Sequence, residues 1–166
     1  IDIIIHCAGP NAKESNENYF NNFKFSGKIF HEFLQIAIKQ KVKKFFLLST
    51  IHVYSDNLKN DINEETQIKN NNPYAVNKIL SETILNYYLK KNIIKGKILR
   101  LSNVVGSPLS INTNCWSLIS NNLCYQYIKN NKIIINSNPN TKRNYLCLND
   151  FLNIIEILIT SKKDNI

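Results

Sequence analysis

The chain has 166 residues, 43% of them hydrophobic, and a formal net charge of +9 carried by 19 lysines and only two arginines, Arg100 and Arg143. That length and apolar content suffice for one domain with a packed core. The lysines are scattered among asparagines and isoleucines, forming no basic stripe with interleaved aromatics, which argues against a nucleic-acid partner, and no apolar run reaches 18 residues, which argues against a membrane partner.

Asp2 to Gly9 is a continuous apolar run closed by glycine, which suits a central parallel strand. His6 within it reads as a packed strand histidine. Residues from about Ser15 to Gln40 read as helix, with Ile29, Phe33, Ile36 and Ala37 as the apolar stripe, Phe30 and Leu34 widening it, and Gly27 a candidate break. Val42 to Ser49 is the next strand. It ends in Ser49-Thr50, placing a hydroxyl at the C-terminal end of a buried strand, where open α/β sheets hold their ligands.

Ser55 to Asn72 is an 18-residue polar loop, longer than ordinary connections and so a candidate for function. Asn72 is a good N-cap and Pro73 a good first residue for a helix running to about Lys91. Tyr74 and Lys78, at i and i+4, share one face of that helix. An ammonium beside a phenol favours the phenolate and lowers its pKa from about 10. A tyrosine tuned in this way is a general acid/base.

Lys97 to Asn103 forms another strand, in which Arg100 reads as structural. Cys115 to Asn130 reads as helix, with Trp116, Ile119, Leu123 and Tyr127 on one stripe and Trp116 in the core. Lys132 to Ile135 is expected as a short strand, and Asn149-Asp150 as the cap of a final amphipathic helix ending near Ile159. Cys7, Cys115, Cys124 and Cys147 form no Cys-x-x-Cys pair and no zinc-type spacing with histidine, so they read as small buried thiols and no metal is expected. Strands alternating with helices give a parallel α/β sheet. The absence of methionine and the start inside an apolar run suggest a piece of a longer protein, and Gly9, Gly27, Gly96 and Gly106 are too scattered for a Gly-x-Gly-x-x-Gly phosphate loop.

A bare Tyr-x-x-x-Lys arises often by chance. Here it follows a strand end, Ser49-Thr50, by 24 residues, and other motifs flank it. Together they make the chain resemble the extended short-chain dehydrogenases/reductases, the NAD-dependent epimerase/dehydratase group that acts mostly on nucleotide sugars. His6-Cys7-Ala8-Gly9 is similar to that family's His-x-Ala-Gly turn against the cofactor. Leu99-Arg100-Leu101-Ser102-Asn103, followed by Gly106 and Pro108, resembles its Leu-Arg-x-x-Asn-x-x-Gly-Pro strand end, with the proline displaced by one residue. Arg143-Asn144-Tyr145 resembles its Arg-Asp-Phe/Tyr segment, with Asn144 in place of the aspartate.

The resemblance implies a Rossmann-like doubly wound parallel sheet whose first βαβ units lie upstream. Residues 1–103 would be the C-terminal part of the NAD(P)-binding domain, and residues 104–166 substrate-binding segments interleaved with the last sheet elements. Thr50, Tyr74 and Lys78 would be catalytic, with His52 as a further candidate. Ala8, Gly9 and Asn11, with Tyr74 and Lys78, would hold NAD or NADP. Asn103 and Arg143 would hold the phosphates of a nucleoside-diphosphate sugar, a role for which forked guanidinium donors are well shaped.

The activity implied is that of an epimerase or reductase. In the 4,6-dehydratases that resemble this chain, the strand-end threonine precedes Asp-Glu; here it precedes Ile51-His52, which disfavours dehydration. His52, with an unperturbed pKa of about 6.5, is either a proton carrier at an adjacent sugar carbon or a loop histidine packed beside the nicotinamide. Two other readings remain open: a reductase of a steroid- or flavonoid-type substrate, which has no need of Arg143, and a catalytically silent NAD(P)-sensing regulator, which has no need of Thr50, Tyr74 and Lys78. A cytoplasmic homodimer is expected of the full-length protein.

Overall fold

The computed structural model describes residues 1–54, 61–113, 115–116, 118–136, 138 and 140–161. The chain forms two compact units, Ile1–Leu101 and Ser102–Ile166. The first six residues of the polar loop, 55–60, and the charged C-terminal run 162–166 lie outside the described residues.

In the first unit, β1 (Ile3–His6), β2 (Lys44–Thr50) and β3 (Lys95–Leu101) form a parallel sheet in the order β1-β2-β3. Each step across the sheet is a helical crossover, as parallel neighbours require. The register sets Ile5 beside Phe46 and Leu47 beside Ile98. Strand β2 lies between the other two, and Phe45, Phe46 and Leu47 are buried; this is why its sequence is a continuous apolar run and not an alternating one. Phe45 and Leu47 pack with Phe30, Leu34 and Ala37 of α3 (Phe30–Lys39) and Leu85 of α4 (Pro73–Lys90) to form the core. His6 packs into the same aromatic group, its ring 5.0 Å from Phe30 and 6.0 Å from Phe45, as a strand histidine should.

The segment expected as one helix is four pieces. α1 (Ala12–Glu17) begins earlier than expected, and α2 (Tyr19–Lys24) starts afresh at Asn18. Asn18 leaves helical geometry and its side chain accepts from the Asn21 N–H, a local bond that competes with helix continuation. Gly27 does not open a gap; it lies in a π-helical turn, Phe25–Ile29, that runs straight into α3.

The second unit pairs β4 (Asn103–Val105) with β5 (Tyr145–Cys147) in parallel. The strand expected over 97–103 is therefore interrupted at Ser102, with its last residue in a separate sheet. α5 (Ile119–Asn130) starts later than expected, and α6 (Leu148–Thr160) starts earlier: Cys147 is its N-cap, without a side-chain cap bond, and Asn149 and Asp150 lie inside its first turn. Lys132 to Ile135 is not a strand. Gln126 of α5 takes its place as partner: its amide oxygen accepts from the Ile134 N–H at 2.7 Å, and its Nε2 donates to the Ile134 carbonyl at 3.3 Å. Trp116 precedes the helix and is half-buried, its indole N–H donating to the Ile111 carbonyl and its ring 5.2 Å from Tyr125.

The expectation of buried thiols fails: Cys7, Cys124 and Cys147 are exposed and Cys115 is intermediate. Cys7 lies just past the end of β1, where the chain leaves the sheet. The others belong to the second unit, in which no described residue is fully buried. Among the described residues, no helix is long and apolar enough to cross a membrane, and no group of His, Cys, Asp or Glu could hold a metal ion.

Candidate active site

Strand β2 delivers Thr50 to the C-terminal edge of the first sheet in extended geometry, φ −143° and ψ 150°. The Thr50 hydroxyl accepts from the His52 N–H at 3.2 Å, starting a single 3-10 turn, Ile51–Val53. Across the edge, Asn72 caps α4 by accepting from the Tyr74 N–H at 3.0 Å, and Pro73 is its first residue. Both local signals were readable in the sequence. They set Tyr74 in the opening turn and Lys78 one turn later, on the face that looks back at β2.

The Tyr74 hydroxyl is within hydrogen-bonding reach of the Thr50 side chain. The His52 ring, itself exposed, meets the Tyr74 ring edge-on with 6.2 Å between centroids. The Lys78 ammonium donates to the Leu48 carbonyl at 3.2 Å and lies 5.9 Å from the centroid of the Tyr74 ring. It also faces Gly9, where the backbone has φ +150° and a Cβ would come within 3.6 Å of Lys78 Nζ. Thr50, His52, Tyr74, Lys78 and Gly9 are thus brought together, with Ala8 next to Gly9 in the chain. Asn11 is committed elsewhere in part: its Oδ1 accepts from the Glu14 N–H at 3.0 Å, and its own N–H donates to Glu14 Oε2 at 2.9 Å, a capping box for α1.

The expectation that Lys78 lowers the pKa of Tyr74 is not met. Burial pushes the phenol up, and the Thr50 hydrogen bond offsets only part of that. Burial likewise pushes the Lys78 ammonium down, against the opposing pull of Cys7 and Glu82. With the ammonium bonded to a backbone carbonyl and 5.9 Å from the ring centroid, desolvation outweighs attraction. Each group is driven toward its neutral form.

Sequence reading missed Asn77, which lies one residue before Lys78 and is 1% exposed. Its Nδ2 donates to Ser15 Oγ at 3.3 Å, while Oδ1 has no hydrogen-bond partner among the described residues. Beside it is a cavity of about 10 Å³ lined by His6, Gly9, Lys78 and Ser81, among others. Asn77 and Ser81 lie four residues apart on the face of α4 that also buries Glu82, and that helical spacing of polar residues is the signal that would have revealed a buried polar face. A wider cleft of about 630 Å³ adjoins Gly9 and Pro10 and is lined further by Glu14, Asn18, Asn21 and Lys24.

In the second unit, Asn103 opens β4. Both its backbone N–H (3.3 Å) and its Nδ2 (2.9 Å) donate to the Asn144 carbonyl. The β4–β5 register sets Asn103 opposite Tyr145, two residues from the exposed Arg143. Asn144, standing where an aspartate was expected, serves through its backbone.

The profile of the NAD dependent epimerase/dehydratase family matches residues 1–166. UDP-glucose 4-epimerase of Mycoplasma genitalium is 31% identical over 128 residues, covering 74% of this chain and 37% of its own length. dTDP-D-glucose 4,6-dehydratase of Dictyostelium discoideum is 27% identical over 176 aligned positions, covering 96% and 38%. The chain therefore spans less than half the length of these relatives. Among solved structures, L-threonine dehydrogenase from Phytophthora infestans matches with a TM-score of 0.86 at 19% identity, covering 99% of this chain and 53% of that one. UDP-glucuronic acid 4-epimerase from Bacillus cereus, in complex with UDP-glucuronic acid and NAD, matches at 0.82 and 22%, covering 100% and 52%. At such identities the likeness is one of fold: a partial, Rossmann-like α/β arrangement.

Proposed function

This chain belongs to the NAD dependent epimerase/dehydratase family, and from that premise we propose that the full-length protein is an NAD- or NADP-dependent epimerase or reductase of a nucleoside-diphosphate sugar. The observation that carries the reading is the meeting of Tyr74 with Thr50 at the C-terminal edge of a parallel sheet, with Lys78 one helical turn on and facing Gly9.

The residues at this edge fit a nicotinamide nucleotide. An ammonium has three donor hydrogens, and that of Lys78 sits beside a backbone without a side chain at Gly9, which suits ribose hydroxyls. Lys78 would hold the ribose, with Ala8, Gly9 and Asn11 along the adjoining turn. When bound, the nicotinamide supplies the hydride acceptor and donor at the sugar carbon. Tyr74 takes the proton from the reacting sugar hydroxyl or returns it, and Thr50 orients that oxygen. Arg143 grips the diphosphate through two N–H groups and Asn103 adds a polar contact. Fixing the phosphates positions the sugar for reaction.

Ile51 favours epimerase or reductase over dehydratase. It stands where elimination of water across C5 and C6 needs a carboxyl group, and an alkyl side chain moves no proton. His52 would then be a proton carrier at a neighbouring carbon, its ring being exposed and edge-on to Tyr74. The test is to incubate the full-length protein with NAD and, separately, UDP-glucose, UDP-glucuronic acid and dTDP-glucose. An epimerised sugar, or a keto sugar that keeps its C6 hydroxyl and is formed together with one equivalent of NADH, is expected from at least one. Accumulation of a 4-keto-6-deoxy product would overturn the reading.

A nucleotide substrate, in preference to a steroid or flavonoid, is supported by Arg143, the chain neighbour of Asn144, whose carbonyl accepts from Asn103. Arg143→Lys keeps the charge and removes the fork. It should raise KM for the nucleotide sugar on the order of tenfold at nearly constant kcat. An unchanged KM would remove Arg143 from the phosphate site.

A further inference from the structure

We propose that Arg100, Glu82 and Tyr54 form a clamp that fixes the turn carrying Thr50 and His52 against the helix carrying Tyr74 and Lys78, with Arg100 as a positioning residue. The catalytic consequence rests on the reading of Tyr74 as the acid/base.

Arg100 lies on β3 at the position paired with Ser49, next to the pair formed by Thr50 and Leu101. Its guanidinium donates in two directions. Nε reaches Glu82 Oε1 at 3.2 Å and Oε2 at 3.1 Å, and Nη2 reaches Oε2 at 2.8 Å. Nη1 donates to the Tyr54 hydroxyl at 2.8 Å, and the guanidinium carbon lies 5.1 Å from the centroid of the Tyr54 ring. Glu82 is one helical turn beyond Lys78 on α4. Tyr54 ends the 3-10 turn that starts at Thr50. One planar group therefore ties together the strand, the helix and the turn that supply the site.

Tyr54 passes the restraint on. Its N–H donates to the Ile51 carbonyl at 3.1 Å, which holds the turn closed. Its own carbonyl accepts from Asn70 Nδ2 at 3.0 Å, Asn70 Oδ1 accepts from the Asn72 N–H at 2.9 Å, and Asn72 caps the helix at Tyr74. Both ends of the long loop thus return to the same guanidinium, one through Tyr54 and the other through α4.

Stability alone does not account for this arrangement. Glu82 is 3% and Tyr54 5% exposed. Taking a carboxylate out of water is costly, and well-packed apolar residues in place of such a pair often hold a fold equally well. What apolar packing lacks is direction. A forked donor set bonded on two sides admits one placement of the turn against the helix.

The experiment follows amide hydrogen exchange in the full-length protein for two variants. Tyr54→Phe keeps the ring and removes one hydroxyl. Arg100→Met combined with Glu82→Leu removes both charges together, so that none is left buried and unpaired. In each, exchange at the His52 and Tyr54 amides should rise roughly tenfold or more, while the amides of β2 from Phe45 to Leu48 hold their wild-type rates. With NAD and UDP-glucose as probe, kcat should fall on the order of tenfold at unchanged KM. Wild-type exchange at His52 and Tyr54 in both variants would overturn the clamp, as would an increase that runs equally through the whole unit. Tyr74→Phe serves as the separating control. It should leave exchange at His52 and Tyr54 unchanged, so failure of Tyr74 as acid/base and failure of the clamp give different results.

Discussion

Tyr74→Phe in the full-length protein should reduce turnover by about 10²–10⁴-fold while leaving cofactor and nucleotide-sugar affinity close to wild type. The substitution removes one oxygen and keeps the ring, so the edge-on contact with His52 survives and no cavity opens. What disappears is the hydroxyl in reach of Thr50, the group that would exchange a proton with the sugar. Steady-state kinetics give kcat, and calorimetry with NAD and with a nucleotide sugar gives the two affinities. Near-normal turnover would take Tyr74 out of the mechanism. Normal affinities with lost turnover would separate chemistry from binding.

The direction of the two pKa shifts bears on how such a tyrosine would work. Burial raises the phenol and lowers the ammonium, so the site holds Tyr74 as a neutral hydroxyl. Proton donation from that state needs no prior ionisation. Proton abstraction needs the phenolate, and two features of the chain favour it: the Thr50 hydrogen bond, and an ammonium on a side chain long enough to close on the ring from its present 5.9 Å. Sequence spacing showed that Tyr74 and Lys78 share a face. It did not show which of burial and attraction is larger, because burial depends on residues far away in the chain.

The same distinction runs through the rest of the fold. β2 was legible because burial on both faces forces a continuous apolar run, and the start of α4 because Asn72 and Pro73 are local signals. The break at Asn18 and the pairing of Gln126 with Ile134 come from single side-chain bonds to backbone, which a hydrophobic pattern does not register. The thiols were misjudged because apolar neighbours along the chain do not guarantee cover in space. Arg100 was correctly read as structural, yet its partners Glu82 and Tyr54, 18 and 46 residues away, lie on different elements that only the folded sheet brings together.

Gly96 makes the sharpest case, and Gly96→Ala should be among the most destabilising single substitutions in the first unit. In the sequence Gly96 is only a glycine between two lysines at the start of a strand. In the structure it has φ +154° and pairs with Phe45 of the neighbouring strand. A Cβ there would overlap the Phe45 carbonyl oxygen and lie 2.7 Å from the Phe45 carbonyl carbon and 3.0 Å from its nitrogen. These are backbone atoms of the middle strand, so no side-chain rotation relieves the overlap. The Phe45 ring is fully buried and stands 6.0 Å from Phe30, so moving the strand also disturbs the core. Holding a non-glycine residue at such a φ costs about 1–3 kcal/mol, and the forced shift of the ladder adds to it. The total should exceed about 3 kcal/mol, measured as the loss in free energy of denaturant unfolding of the full-length protein. A loss below about 1 kcal/mol would show that β3 does not run against Phe45 in this register.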